Sequence, residues 1–233
     1  LGSFLNEEIF EKFHKKGAVI GMSGGIDSAV MSAICAKSID PSQVLGITMP
    51  EKESDPESQL LAKKVADQFK IKIQTIDITS ILESFGVYDK KEKIVTEKFS
   101  DFNEECKYRV AVPSKFSSSI GIPFLEILDD KNKIHKIKIS TDDFLELTAA
   151  SSIKHRVRMT MLYYFAEKNN FCVVGTTNKS EFLQGYFVKY GDGGTDVEPL
   201  TSLYKSQIYQ IGEFLRVPQE ILKKDASPDI WSF

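Results

Sequence analysis

Apolar and polar residues recur in short, regular blocks along the first third of the chain. Leu5, Ile9, Phe10 and Phe13 fall at helical spacing and are closed by Lys15-Lys16-Gly17, which predicts a short amphipathic helix. The run Ala18-Val19-Ile20 reads as a buried strand, and residues 29–36 read as a helix. A second buried strand is predicted at 44–50, then a helix at 60–69 with Leu60, Leu61, Val65 and Phe69 on one face. Residues 71–76 alternate as a third strand, and 78–85 form a short helix. This β-α-β-α-β-α order implies a parallel sheet with helices on both faces and right-handed crossovers.

From about residue 86 to 140 the pattern breaks. Residues 90–98 are highly charged, and 101–108 have no clear period. Residues 124–128 and 134–139, separated by Asp129-Asp130-Lys131-Asn132-Lys133, read as a β-hairpin with a five-residue loop. This stretch is read as an insertion on the core, either a surface excursion or a lid or dimerisation element. Order returns with a helix over 142–168, whose stripe of Met159, Leu162, Tyr163 and Ala166 reads as core. A buried strand follows at 171–176, and Asn178 opens a helical turn. A tight loop is expected at 190–194. A helix at 204–215 should turn Ile208, Ile211, Phe214 and Leu215 inward and stop at Val217-Pro218. The expected architecture is a single α/β domain over 1–233, a doubly wound and mostly parallel sheet with an insertion at roughly 86–140.

The first strand runs into Gly21-Met22-Ser23-Gly24-Gly25-Ile26-Asp27-Ser28 and then into a helix. Glycines let the backbone approach an anion closely, and loop N–H groups with a helix N-terminus then face it. A phosphate or pyrophosphate is the expected guest. No lysine follows Gly25, so this is not the Walker loop, nor does the run fit Gly-x-Gly-x-x-Gly. Ser-Gly-Gly-x-Asp-Ser resembles the pyrophosphate loop of the N-type ATP pyrophosphatases. That superfamily includes NAD synthetase, GMP synthetase, asparagine synthetase and the tRNA-thiolating enzymes, and its fold is adenine nucleotide alpha hydrolase-like.

In a doubly wound sheet, ligands bind beyond the carboxyl ends of strands where the strand order reverses. With three strands wound one way, the strand at 171–176 should lie beside the first. Asp27 and Glu181 then flank one crevice. Facing a triphosphate, two carboxylates call for a divalent cation, and Mg²⁺ takes one or two carboxylates plus phosphate oxygens. Plainer roles compete: a helix cap for Asp27, and for Glu181 the reciprocal residue of an Asn178-x-x-Glu181 capping box.

The second half carries a closer resemblance. Arg156-Val157-Arg158-Met159, then Gly175-Thr176-Thr177-Asn178-Lys179-Ser180-Glu181, then Lys189-Tyr190-Gly191-Asp192-Gly193-Gly194-Thr195-Asp196, then Leu203-Tyr204-Lys205 closely resemble the ammonia-dependent NAD synthetases. The resemblance implies amidation of deamido-NAD through an acyl-adenylate, with ammonia displacing AMP after pyrophosphate has left. It implies that residues Gly21 to Ser28 bind ATP, with Ser23, Gly25, Asp27 and Ser28 on its phosphates. Thr176, Lys205 and Ser227 would also contact ATP, and Asp27 and Glu181 would bind Mg²⁺. Asp27 and Lys205 would serve catalysis. Arg156, Lys189 and Asp196 would bind deamido-NAD. A homodimer is implied as well.

The residues also have readings of their own. Arg156 and Arg158 stand about 200° apart on a helix, so at most one can face a ligand. Lys189 could be an ordinary solvated lysine, and Asp196 could orient a turn. Lys205 opens an amphipathic helix where an acid is the usual choice, which points to a nearby anion. Two departures stand out. The 86–140 stretch is longer than in compact family members, and the mobile loop and His-Lys pair that follow the Ser-Pro-Asp-Ile-Trp region in family members are not in this sequence. A related adenylating ligase for another carboxylate, such as a sugar acid, and a non-catalytic nucleotide-binding protein are the competing readings.

Composition narrows the partners. A net charge of −3 without a long basic run gives no sign of extended nucleic-acid contact, and no apolar stretch is long enough to span a membrane. Cys35, Cys106 and Cys172 are scattered and form no Cys-x-x-Cys, which fits a reducing, cytoplasmic setting. No glutaminase portion is recognisable, so free ammonia or a separate glutaminase partner would supply nitrogen.

Overall fold

The computed structural model describes residues 1–103, 105–111 and 123–224. In chain order, α1 (Gly2–Asn6) continues into a wider turn at Glu7–Lys12, followed by β1 (Ala18–Gly21) and α2 (Ile26–Ser38). Next come β2 (Val44–Thr48), α3 (Pro56–Phe69), β3 (Lys72–Thr75), α4 (Thr79–Ser84), α5 (Val87–Lys98) and β4 (Lys107–Ala111). β5 (Phe124–Leu128), β6 (Ile134–Lys138), α6 (Thr141–Asn169) and β7 (Cys172–Val173) follow. α7 (Lys179–Gln184), α8 (Lys205–Leu215) and α9 (Gln219–Lys223) complete the described chain.

Two compact units emerge. The first comprises Leu1–Glu51, Asp55–Ile78 and the described residues from His155 onward. Its sheet is parallel in the order β3-β2-β1-β7, so the fourth strand pairs with the first, as the winding argument requires. β7 is shorter than the predicted 171–176; beyond it only the bridge between Val174 and Val197 continues the pairing. Ala18, Val19 and Ile20 are fully buried, which suits a central strand of a parallel sheet covered on both faces. α2 is buried nearly all round through Ile26, Ala29, Val30, Met31, Ala33, Ile34 and Cys35. Burying each such aliphatic side chain contributes about 1.5–3 kcal/mol. Gly212 lets α8 approach α2 closely, since a Cβ there would stand 3.1 Å from Ile26 and 3.2 Å from Val30.

Two predicted faces are corrected. Leu60 is 64% exposed although Leu61 and Val65 are buried, and Phe214 is 83% exposed although Ile208 is buried. In each helix the core-facing stripe is narrower than the apolar run, and the outermost residue turns to solvent.

The second unit comprises Lys52–Ser54 and the described residues of Thr79–Lys154. Its antiparallel sheet runs β4-β5-β6. The predicted hairpin and its five-residue loop are present. Asp129 accepts from Lys131 N–H at 3.0 Å and Lys133 N–H at 2.8 Å, and pairs with His135 Nε2 at 2.7 Å. Two elements were not foreseen, α5 and β4. Ile94, Val95, Tyr108, Leu125, Ile127 and Leu147 form their core. Lys91 and Lys154, both fully buried, each donate to Glu53 Oε2 at 2.5 Å. Burial works to raise the Glu53 pKa, but the two ammonium groups outweigh it and hold the carboxyl below its usual range. Among the described residues, no helix is long and apolar enough to cross a membrane.

Candidate active site

The loop after β1 has the form the sequence called for. Gly24 adopts φ +77°, and a Cβ there would lie 2.3 Å from the Ser58 carbonyl oxygen in the first turn of α3. Only glycine fits between loop and helix. Ser28 Oγ donates to Gly25 O at 3.0 Å, accepts from Ser23 N–H at 3.3 Å and lies 3.2 Å from Ser23 Oγ. The hydroxyls thus tie the loop into a closed turn at the N-terminus of α2, whose first-turn N–H groups have no intrahelical acceptors. Gly21 and Met22 lead into the turn, and Met22 N–H donates to Ile47 O at 2.8 Å, which fixes the strand end beneath it.

Asp27 does not cap α2; Gly25 does, with extended backbone and no side-chain bond. The Asp27 carboxylate instead points across to the segment after β7. Its Oδ1 accepts from Asn178 Nδ2 at 2.9 Å, and its Oδ2 meets Lys205 Nζ. Lys205 Nζ is also 3.7 Å from Glu181 Oε1. Glu181 does form the capping box with Asn178: Asn178 Oδ1 accepts from Glu181 N–H at 3.1 Å and Glu181 Oε2 from Asn178 N–H at 3.2 Å. The box uses one Glu181 oxygen and leaves the other facing Lys205, so the capping and charged roles coexist. Burial, then the neighbouring Asp27 charge, raises the Glu181 pKa.

Three residues from distant positions therefore converge: Asp27 on α2, Glu181 on α7 and Lys205 opening α8. The acid usually expected at a helix start is supplied to Lys205 by other elements. Two carboxylates share one ammonium, so a cation already occupies the space between them. A divalent ion suits the same donor set. No group of three or more metal-binding side chains exists among the described residues, so Mg²⁺ would draw its remaining oxygens from phosphate and water. Asn178 is fully buried and ties the box to Asp27. Its replacement by alanine should cost about 1–2 kcal/mol, read as a lower midpoint in thermal unfolding.

The expected acyl-substrate residues are distributed less tightly. Arg156 Nε donates to the Lys189 carbonyl at 3.3 Å, so these two adjoin. Arg158 turns away and its Nε donates to Met49 O at 3.4 Å, as the spacing on one helix demands. Lys189 Nζ lies 5.2 Å from the Tyr190 ring centre. Asp196 is engaged internally: Oδ1 accepts from Tyr163 Oη–H at 3.0 Å and Oδ2 from Val173 N–H at 2.8 Å. In this arrangement it fastens the 190–196 loop to β7. Thr176 is half-buried three residues beyond the end of β7, and Ser227 lies outside the described residues.

One residue was missed from the sequence. Glu198 lines a cavity of about 190 Å³ with Thr177, Phe182, Phe187, Gly193 and Thr201. Its Oε1 accepts from Thr195 Oγ1 at 2.9 Å and Thr177 Oγ1 at 3.4 Å. Its Oε2 is buried without a hydrogen-bond partner. A Cβ on Gly175 would stand 2.3 Å from the carboxyl, so glycine makes the room Glu198 occupies. The available signal was an acid between Val197 and Pro199, in a stretch otherwise suited to burial.

The chain matches the profile of the NAD synthase family over residues 1–122 and 115–232. It belongs to the NAD synthase family. It is 35% identical over 231 residues to the NH(3)-dependent NAD(+) synthetase of Rhizobium rhizogenes, covering 98% of this chain and 69% of that protein. It is also 35% identical to the NH(3)-dependent NAD(+) synthetase of Thermotoga maritima, covering 98% and 76%. Among solved structures, NMN synthetase from Francisella tularensis superposes with a TM-score of 0.70 at 26% identity, covering 99% of this chain and 74% of that one. The NH3-dependent NAD synthetase from Campylobacter jejuni gives 0.66 at 25%, covering 97% and 76%. The resemblance carried by the motifs is thus matched over nearly the whole chain. Membership makes this an NAD synthetase, a ligase of NAD biosynthesis that uses ATP.

Proposed function

We propose that the chain adenylates the nicotinate carboxylate of deamido-NAD with Mg²⁺ and ATP, releases pyrophosphate, and lets ammonia displace AMP to give NAD. The observation that carries this reading is the convergence of Asp27, Glu181 and Lys205 beside the 23–28 loop. The first half-reaction needs charge neutralised on phosphates more than it needs an acid or base. The loop residues Ser23, Gly25, Ile26 and Ser28, with Gly21, Met22 and Gly24 shaping the turn, would receive the phosphates on N–H and hydroxyl groups. Asp27 and Glu181 would hold Mg²⁺, which when bound offsets the charge of the triphosphate. Lys205 would then follow the phosphates with its ammonium, and Thr176 and Ser227 would contribute further ATP contacts. Arg156, paired with the Lys189 backbone, and Lys189 itself would face the phosphates and carboxylate of deamido-NAD. Asp196 would position that loop. Nitrogen would arrive as free ammonia or from a separate glutaminase, and the resemblance carries a homodimer with it.

One specific observation favours a second acyl substrate. A relative whose product is NMN superposes over 99% of this chain, so the corresponding mononucleotide acid competes with the dinucleotide acid. Exchange of labelled pyrophosphate into ATP, run without ammonia, separates the two. Deamido-NAD should support exchange well above the mononucleotide and sugar acids. Exchange confined to the mononucleotide or to a sugar acid would overturn the deamido-NAD assignment.

A further inference from the structure

Ammonium is a weak acid and is almost wholly protonated at neutral pH. Amide formation uses the free base, so a site that captures ammonium must also take a proton from it. We infer that the Glu198 cavity is the ammonium site, with the Glu198 carboxylate docking the cation and accepting its proton. The inference rests on the ammonia-dependent reading above and adds the residue that performs its second half.

Four features of the cavity support this. Thr195 and Thr177 fix one carboxylate oxygen and leave the other, buried, with an open acceptor; an unmet buried acceptor is costly, and an N–H donor would satisfy it. The walls are aromatic: the Phe182 and Phe187 rings lie 6.2 Å apart and within 9° of parallel. Such faces attract a small cation. The volume, about 190 Å³, is well above the roughly 10–15 Å³ of probe-occupied space that one water-sized molecule needs. An ammonium ion therefore fits inside it. Last, its lining residues adjoin the proposed ATP-site residues in sequence: Thr177 follows Thr176, and Phe182 follows Glu181.

Burial raises the Glu198 pKa to about 7, and Asp192 on the adjoining loop adds a smaller push in the same direction. A base with that value is suited to work near neutral pH. The step balances as follows. Glu198 takes one proton from NH4⁺ and becomes the neutral acid. The nitrogen lone pair of NH3 forms the bond to the acyl carbon, and the bond from that carbon to the AMP phosphate oxygen breaks, its electron pair leaving with AMP. The new amide nitrogen sheds one proton to water, and Glu198 later returns its own.

Hydroxylamine tests this because it is largely uncharged at neutral pH and needs no base to free its lone pair. Glu198→Gln should lower ammonium-dependent amide formation about a hundredfold relative to hydroxamate formation by the same variant. The acid limb near pH 7 in the ammonium profile of the unaltered enzyme should be missing from its hydroxylamine profile. Pyrophosphate exchange, run in parallel with whichever acid supports it, reports on folding and on the first half-reaction. Failure of deamido-NAD to support exchange overturns the substrate assignment alone. Ammonium and hydroxylamine turnover falling together, or ammonium turnover surviving in Glu198→Gln, overturns the ammonium site. Absence of exchange with any acid overturns both. If Glu198→Gln does not fold, the comparison of the two profiles in the unaltered enzyme decides: an acid limb near pH 7 with both nucleophiles, or with neither, overturns the site.

Discussion

Asp27→Asn should reduce ATP–pyrophosphate exchange on the order of a thousandfold while leaving the thermal midpoint within a few degrees. Asparagine keeps the size of the side chain and an oxygen that can accept from Asn178 Nδ2 at 2.9 Å, so the link between α2 and the capping box survives. It removes one of the two negative charges around Lys205. That charge is the one set in the first turn of α2, beside the 23–28 loop where the phosphates are expected. The adjoining Glu181 keeps its place through Asn178, and Lys205 is partly solvated with its side chain 28% exposed. No fully buried charge is therefore stranded by the change. Exchange retained within tenfold would refute the assignment of Asp27 to the metal and phosphates.

How much of this could be read from the chain depended on the physics of each segment. The parallel sheet was legible because β1 and β2 are buried on both faces and appear as unbroken apolar runs, and because strand order follows from winding. Asp27 and Glu181 were brought together by that topology, although 154 positions separate them. Lys205 was legible as an exception, a cation at a helix start that needs an acid nearby. α5 was hidden by its charges. Its core face is Val87, Tyr88, Lys91, Ile94 and Val95, an ordinary helical stripe once Lys91 is counted as buried. That burial depends on Glu53, 38 positions earlier, which no local pattern reveals. β4 was hidden similarly, since its buried residue Tyr108 is flanked by Lys107 and Arg109. Glu198 depends on Gly175, Thr177 and Thr195 together, and a loop pattern does not encode such a meeting.

Lys205→Met should change two measurements in opposite directions. The ammonium of Lys205 stands between Asp27 and Glu181, in the space a divalent ion would need. Without nucleotide it competes with that ion; with nucleotide its charge is wanted on the phosphates. Methionine keeps the length and helix propensity of the side chain and removes only the charge. Freed of their internal counter-ion, the two carboxylates should bind Mn²⁺ in the absence of ATP about tenfold more tightly, a gain of about 1.4 kcal/mol, measured by paramagnetic resonance or calorimetry. Exchange should fall by a factor on the order of a hundred to a thousand, because the triphosphate loses a cation at the stage when charge neutralisation governs the rate. A purely structural lysine would lower both readings or neither. Unchanged Mn²⁺ affinity in Lys205→Met would mean that the ammonium does not occupy the cation's place, and the shared metal site at Asp27 and Glu181 would lose its main structural support.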